Sequence, residues 1–171
     1  MRKLIILPSW CDSLGGMTVS LSMTIRGFEQ LGIGEQLCVL VKSDSLMENY
    51  LQQLSQGECL KIIKAPNHRQ FFQLAFRWVA EQNRHWPLLL ENCSSRYLLP
   101  TLAMAAPKLR FSGRPVYHIF RDLAHSYNPL GNLFRKCVFS CLSPGAICNS
   151  HFTAQAISKH LMPKIQGILY P

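Results

Sequence analysis

The sequence predicts an α/β fold, a Rossmann-like and mostly parallel sheet of about seven strands with helices on both faces. Short apolar runs alternate with stretches of helical periodicity from one end of the chain to the other. Strict alternation of strand and helix is typical of parallel sheets, since each crossover helix returns the chain to the same edge. Only 16% of the residues are charged, which suits strands buried on both faces. No linker or repeat interrupts this pattern, so we expect a single domain over residues 1–171.

The predicted strands are short apolar runs bounded by charged or turn-forming residues. In chain order they cover residues 4–7, 37–41, 60–64, 88–90, 116–120, 146–148 and 168–170. The first run stops at Pro8 and is too short for the apolar region of a signal peptide. We therefore interpret it as a strand and expect the protein to remain in the cytoplasm.

The helices between these strands are predicted from apolar residues three and four positions apart. The first carries Met17, Leu21, Ile25, Phe28 and Leu31, and Gly32 with Gly34 should end it. Ser45 and Glu48 have the spacing of a capping box at the start of the second.

Four further helices follow in the same way. Phe71, Ala75, Trp78 and Val79 share one face of the third. A helix over residues 97–106 is interrupted early by Pro100 and closed by Pro107. The next helix covers residues 130–142 and the last covers residues 152–161. For the helix over 130–142, the predicted buried side consists of Leu133, Phe134, Cys137 and Cys141.

The seven cysteines are dispersed and odd in number, which favours buried, reduced thiols over a disulfide framework. Cys137, Cys141, Cys148 and His151 have the atom types of a zinc site. However, the Cys-x3-Cys spacing lies on an apolar stripe and no C-x-x-C pair is present. Packing explains these residues better, and we expect no metal.

Positive charge is concentrated in the second half of the chain. Residues 92–171 contain nine basic residues and one acid, Asp122, whereas residues 1–91 contain nine basic and eight acidic residues. Such a surface attracts phosphorylated ligands or anionic lipid headgroups, or it is simply solvated. Nucleic acid is not expected as a partner, because no binding motif is present and the basic residues are spread out. The aromatic and basic stretch 69–78 suits either a membrane surface or, as we favour, a core helix with two exposed arginines.

In a parallel sheet, ligands bind at the carboxyl ends of the strands. The loop over residues 9–16 lies there and ends in Gly15-Gly16 before a helix, where backbone N–H groups favour an anion. The loop lacks the G-x-G-x-x-G and G-x-x-x-x-G-K-[ST] fingerprints, and Lys42 rather than an acid stands at the end of the second strand. These absences disfavour a nicotinamide enzyme, and we expect no cofactor.

Three segments carry a resemblance to the N-terminal domain of family 4 glycosyltransferases of the GT-B architecture. They are residues 12–16 with the helix ending Phe28-Glu29-Gln30-Leu31-Gly32, residues 146–153, and residues 168–171. The resemblance implies a cleft enzyme with two Rossmann-like halves, of which this chain is the acceptor-side half. A C-terminal domain would bind the nucleotide-sugar donor, and its motifs are missing here. We therefore expect a fragment, a truncated product or one subunit of a split enzyme, inactive alone.

The same resemblance implies the site residues. Those expected to bind substrate are Gly15, Gly16, Met17, Arg121, Asn149 and Ser150. Many family members carry a histidine just after the fifth strand; here Arg121 and Asp122 occupy that place and His125 follows. Asp122 and His125 are the candidate catalytic residues, contacting the acceptor hydroxyl or the sugar. The alternative, which we favour for Arg121 and Asp122, is a structural ion pair. His118, inside the strand, is interpreted as a core or interface histidine.

The function implied is a retaining, nucleotide-sugar-dependent transferase for polysaccharide or glycolipid synthesis. Its partners would be the donor shared with the missing domain, a sugar or lipid-linked acceptor, and a peripheral surface at the inner membrane face. The alternative is a non-catalytic binding or regulatory module with the same fold. A small nucleotide-dependent oxidoreductase is a third candidate, which the missing fingerprint disfavours.

Overall fold

The computed structural model describes residues 2–54, 58–92, 98–121, 129–161 and 164–169, and it confirms the predicted α/β class. The strands are Leu4–Pro8 (β1), Leu37–Lys42 (β2), Leu60–Ile63 (β3), Leu88–Glu91 (β4), Val116–Phe120 (β5), Gly145–Cys148 (β6) and Lys164–Ile168 (β7). The α-helices are Gly16–Gln30 (α1), Leu46–Leu54 (α2), His68–Glu81 (α3), Leu99–Phe111 (α4), Pro129–Leu142 (α5) and His151–His160 (α6).

All seven strands form one parallel sheet in the order β3-β2-β1-β4-β5-β6-β7. The chain first moves from β1 out to β3 and then crosses back to β4, on the other side of β1. The loops leaving β1 and β4 therefore diverge, which opens a crevice at the carboxyl ends of these two strands. At this edge Pro8 pairs in register with Glu91, and Glu91 with Ile119.

Helix α1 ends where its glycine predicts. Gly32 has a φ of +67°, a left-handed conformation that costs little for a residue without a Cβ. Leu21 and Ile25 are buried on the inner face, as expected. Leu31 is 73% exposed, because it follows the last helical residue and no longer shares that face.

Ser45 caps α2, as predicted. Its Oγ accepts a hydrogen bond from the Glu48 N–H at 3.1 Å, and Oε2 of Glu48 accepts one from the Asp44 N–H at 2.6 Å. In a standard capping box the returning carboxylate bonds to the cap residue itself, so here it reaches one residue further back.

Helix α3 is a core helix, which confirms the favoured interpretation of residues 69–78. Its buried side chains are Phe71, Phe72, Ala75, Phe76 and Val79. Arg69 and Arg77 are exposed on the opposite face. The three phenylalanines of this stretch therefore pack inside the protein, while Trp78 is half-buried.

Two predicted boundaries are wrong. Helix α4 does not close at Pro107 but continues through it to Phe111, because Ala106 and Leu109 are both buried and hold the last turns against the core. The last strand covers Lys164–Ile168 and not residues 168–170, and Gln166 is skipped in its pairing with β6. Residues 170 and 171 lie outside the described part of the chain.

The predicted buried side of α5 is also wrong. The residues expected inside are exposed: Leu133, Phe134, Cys137 and Cys141. The residues inside are Val138, Phe139 and Leu142. Helix α5 carries two apolar stripes, and packing against α4 and the edge-to-face contact of Phe139 with the His118 ring of β5 select the second one. The expectation of buried thiols fails for Cys137 and Cys141, while Cys11, Cys59 and Cys148 are buried.

Candidate functional site

The loop over residues 9–15 connects the carboxyl end of β1 to the start of α1. Gly15 precedes the helix in an extended conformation, with a φ of −145°, and no described side chain caps the helix. A Cβ added to Gly15 or to Gly16 would meet no atom within 4 Å, so internal packing does not require glycine at either position. Both glycines are exposed, so an anion could approach the start of the helix from solvent. The half-buried Met17 that follows accepts a weak hydrogen bond from the Ser9 hydroxyl at 3.7 Å.

Arg121 and Glu91 join the carboxyl ends of β5 and β4. Nε of Arg121 donates to Oε1 of Glu91 at 2.9 Å, and Nη2 contacts the same oxygen. Nη2 also donates to Oγ of Ser20 at 2.6 Å, which connects the pair to α1 one turn after the glycines. Glu91 is 2% exposed; burial raises the pKa of its carboxyl, and the neighbouring guanidinium opposes that rise.

Asn149 and Ser150 extend this network to the end of β6. The Asn149 amide donates to the Arg121 carbonyl at 2.8 Å, and its own oxygen accepts from the Thr153 hydroxyl at 2.8 Å. Ser150 is the N-cap of α6, since its Oγ accepts from the Thr153 N–H at 3.1 Å. Both side chains are thus engaged in positioning α6 relative to β5.

A second polar cluster lies at the ends of β1 and β2. Nε2 of His68 accepts from the Cys11 N–H at 3.1 Å, so the proton of the neutral ring is on Nδ1, which lies 3.3 Å from Oδ2 of Asp12. Nζ of Lys42 is 3.4 Å from Oδ1 of Asp12. Trp10 stacks on the His68 ring with a centroid distance of 3.9 Å. Burial lowers the pKa of His68, with Asp12 opposing and Lys42 adding to that effect.

The chemistry of this cluster is structural rather than catalytic. A histidine acts as a general base through a ring nitrogen that faces its substrate. In His68 one nitrogen is occupied by the backbone of Cys11 and the other by Asp12. The His68 ring therefore attaches the β1–α1 loop to the start of α3. These contacts fix the position of the loop that leads to Gly15.

The structure brings together some of the predicted site residues and leaves others apart. Arg121 and Asn149 are hydrogen-bonded, and Arg121 contacts α1 through Ser20, near Gly16. Arg121 pairs with Glu91, and its expected pair with Asp122 stays a prediction. Asp122 and His125 both lie outside the described residues.

Sequence reasoning missed the acid at the centre of this edge. Glu91 is the last residue of β4, where it ends an apolar run and continues into the predicted ligand edge. That position was the available signal, since a charged residue at the carboxyl end of a central strand faces the crevice. Asp12, Lys42 and His68 come from the β1–α1 loop, the end of β2 and the start of α3, so only the tertiary fold shows that they lie together.

Comparison with known proteins assigns no family to this chain. No family model matches it, and no curated protein does. One similar solved structure is that of chloroplast FtsY from Physcomitrella patens, at 14% identity and a TM-score of 0.45. The alignment covers 97% of this chain and 58% of that chain, so this chain spans under two thirds of its length. A likeness of this degree carries no argument, and the fold assignment rests on strand order and register.

The described residues were also compared with the requirements of a membrane-spanning helix and of a metal site. Every helix in these ranges is too short or too polar to cross a bilayer. Within the same ranges, no three or more His, Cys, Asp or Glu side chains come together in a way that would hold a metal ion.

Proposed function

We propose that the chain is the acceptor-side half of a retaining, nucleotide-sugar-dependent glycosyltransferase of the GT-B type. The proposal joins the sequence resemblance of residues 12–16 and 146–153 to the position of these segments in the fold. Residues 12–16 follow β1 at the carboxyl edge of an all-parallel sheet, beside the point where strand order reverses, and residues 146–153 lead along β6 to the same edge. The donor-binding half would come from a further domain or a partner subunit, and the acceptor would be a sugar or a lipid-linked sugar in the cytoplasm.

The observation that carries the proposal is the open start of α1. Retaining transfer from a nucleotide-sugar releases a diphosphate, and stabilising its developing charge lowers the barrier. Gly15 and Gly16 are exposed at the start of α1, no described side chain caps the helix, and a Cβ at either glycine would meet nothing within 4 Å. A side chain at either position would fill the space that a phosphate needs, so the glycines suit this role.

The proposal is tested with the chain itself and small phosphates. We expect inorganic pyrophosphate and uridine diphosphate to shift the backbone amide resonances of Gly16, Met17 and Thr18 at millimolar concentration. Gly16→Val should abolish these shifts, whereas Gly27→Ala, in the same helix and with equally open surroundings, should leave them intact. Absence of shifts at the start of α1 at saturating pyrophosphate would contradict the proposal.

A second candidate, a non-catalytic binding module, is favoured by a different observation. Three residues predicted to bind substrate are engaged in internal hydrogen bonds: Arg121 with Glu91, Asn149 with the Arg121 carbonyl, and Ser150 with the start of α6. Side chains used in this way hold the edge of the sheet in place instead of reaching for a ligand. Transfer activity distinguishes the two candidates. A transferase supplied with its donor-binding half consumes nucleotide-sugar, and a binding module does not.

A further inference from the structure

A groove of about 340 Å³ lies between α3 and α4 and shares no residue with the carboxyl-edge site. Residues at helical spacing on α3 form one wall, and residues at the same spacing on α4 form the other. Its floor is apolar, with Phe76 and Leu109 buried beneath it, and Met104 is 61% exposed at its side. An exposed methionine over an apolar floor is a surface that an apolar ligand would cover.

Three exposed cations line this groove: Arg77, Arg84 and Lys108. In the part of the chain that the structure describes, none of the three forms an ion pair. Lys108 complements the dipole at the end of α4, but Arg77 lies in the middle of α3, where the dipole does not favour it. The positive charge of the groove is therefore not neutralised by its surroundings.

A fourth cation, Arg114, lies in the wall of the groove and is only 7% exposed. Its guanidinium donates to the carbonyls of Trp86, Val79 and Gln82 at 2.7, 2.8 and 2.9 Å, so it closes the end of α3. Its partners are dipoles and not carboxylates, and burial lowers its pKa. Among the described residues, no acidic side chain lines the groove. A buried charge held only by carbonyls adds to the attraction for an anion.

The size of the groove restricts what fits. A single flexible chain or a small molecule fits, since ligand pockets begin at about 300 Å³. An apolar floor with a cationic rim then selects a ligand with an apolar chain and an anionic head.

We propose that the groove between α3 and α4 binds a small amphipathic anion, a single acyl chain with a phosphate or carboxylate head. The chain would lie over Phe76 and Leu109 against Met104, and the head would be held by Arg77, Arg84 and Lys108. This site is independent of the carboxyl edge, so it stands whether or not the chain is half of a transferase.

The test measures calorimetric binding of dodecyl phosphate to the whole chain, below the concentration at which it forms micelles. We expect saturable binding of one molecule per chain. The triple variant Arg77→Gln, Arg84→Gln, Lys108→Gln should weaken it by roughly 10- to 100-fold, from about 0.5–1 kcal/mol per exposed charge. The matched control Arg26→Gln, Lys64→Gln, Arg69→Gln removes the same charge outside the groove and should leave binding unchanged. Ala80→Trp, at an exposed position in the wall, should block the groove without disturbing the core.

Any one of the following results would overturn the proposal. Equal affinity for inorganic phosphate would show a simple anion site with no role for the apolar floor, and equal affinity for dodecanol would remove the role of the cations. Binding only to vesicles of anionic phospholipid would assign the charge to a membrane surface. Binding of an acidic helical peptide, with dodecyl phosphate inert, would assign the groove to a protein partner.

Discussion

Arg121 at the end of β5 donates from Nε to Oε1 of Glu91 at the end of β4, across 2.9 Å. The pair connects two neighbouring strands at the ligand edge, and through Ser20 it also holds α1. Glu91 is almost fully buried, whereas the Arg121 side chain is 26% exposed, so the two ends of the pair lie in different surroundings. Loss of the exposed partner would leave a carboxylate inside the protein.

Arg121→Met should therefore destabilise the fold by about 3 kcal/mol at pH 7, the cost of leaving a buried charge without its cation. The loss of stability should become smaller as the pH falls toward 5. Burial already raises the pKa of Glu91 and removal of Arg121 raises it further, so the buried carboxyl becomes protonated and neutral. Urea unfolding at both pH values measures this. The double variant Glu91→Gln, Arg121→Met should recover part of the stability. Equal losses at pH 7 and 5 would contradict the interpretation.

His118 predicts a pH dependence of stability. Its ring is fully buried between Phe120 and Phe139, neither ring nitrogen has a hydrogen-bond partner, and burial lowers its pKa to about 3. Between pH 6.5 and 3 the unfolded chain binds a proton that the folded chain does not. Stability should therefore fall with decreasing pH in this window, with a slope that approaches about 1.4 kcal/mol per unit.

His118→Leu, which is close in volume, should remove this slope and add about 1 kcal/mol at pH 7 by replacing the unsatisfied nitrogens. The measurement is the free energy of unfolding from pH 7 to pH 4. The exposed His85, replaced by Gln, serves as the control and should leave the wild-type slope unchanged. A His118→Leu variant with the wild-type slope would show that the titrating group lies elsewhere.

The outward face of α5 predicts selective thiol chemistry. Cys137 and Cys141 are exposed and four residues apart, whereas Cys11 and Cys148 are buried. Burial raises the pKa of the Cys11 thiol to about 12, which removes the reactive thiolate at neutral pH. Brief treatment with iodoacetamide at pH 7.5, mapped by fragment-ion mass spectrometry, should modify Cys137 and Cys141 before Cys11 and Cys148. Urea should equalise the rates, and equally fast native labelling of Cys148 would refute the assignment.

Gly145 predicts a steric cost at the start of β6. A Cβ there would lie 2.7 Å from Cγ of Gln166 and 2.8 Å from Cδ1 of Tyr117, closer than side chains tolerate. Gly145→Ala should destabilise the fold by about 1–3 kcal/mol, since β6 is paired on both sides and resists the shift. Gly167→Ala, on the neighbouring strand with nothing within 4 Å, is the matched control and should be near neutral in urea unfolding. Similar effects of the two substitutions would contradict the close approach of Tyr117.

The expectations that depend on local sequence mostly agree with the structure, whereas those that depend on tertiary packing often do not. The order of strands and helices, the Ser45 cap and the end of α1 at Gly32 follow from residues close together in the chain. Pro107 was interpreted alone and predicted a helix end, but the buried residues on both sides of it hold α4 together. At the candidate site, the structure confirms the carboxyl-edge position of four predicted residues: Gly15, Gly16, Arg121 and Asn149. The hydrogen bonds of Arg121 and Asn149 inside the protein do not follow from the sequence.

The sequence alone thus determined the fold class, because apolar periodicity and turn residues form helices and strands through interactions between residues a few positions apart. Contacts between distant segments decided the rest. The choice between two apolar stripes of α5 depends on α4 and β5, and the partner of Arg121 is an acid 30 positions earlier in the chain. The cationic groove likewise exists only where α3 and α4 pack side by side. Such contacts depend on which elements the sheet makes neighbours, and that follows from the complete fold.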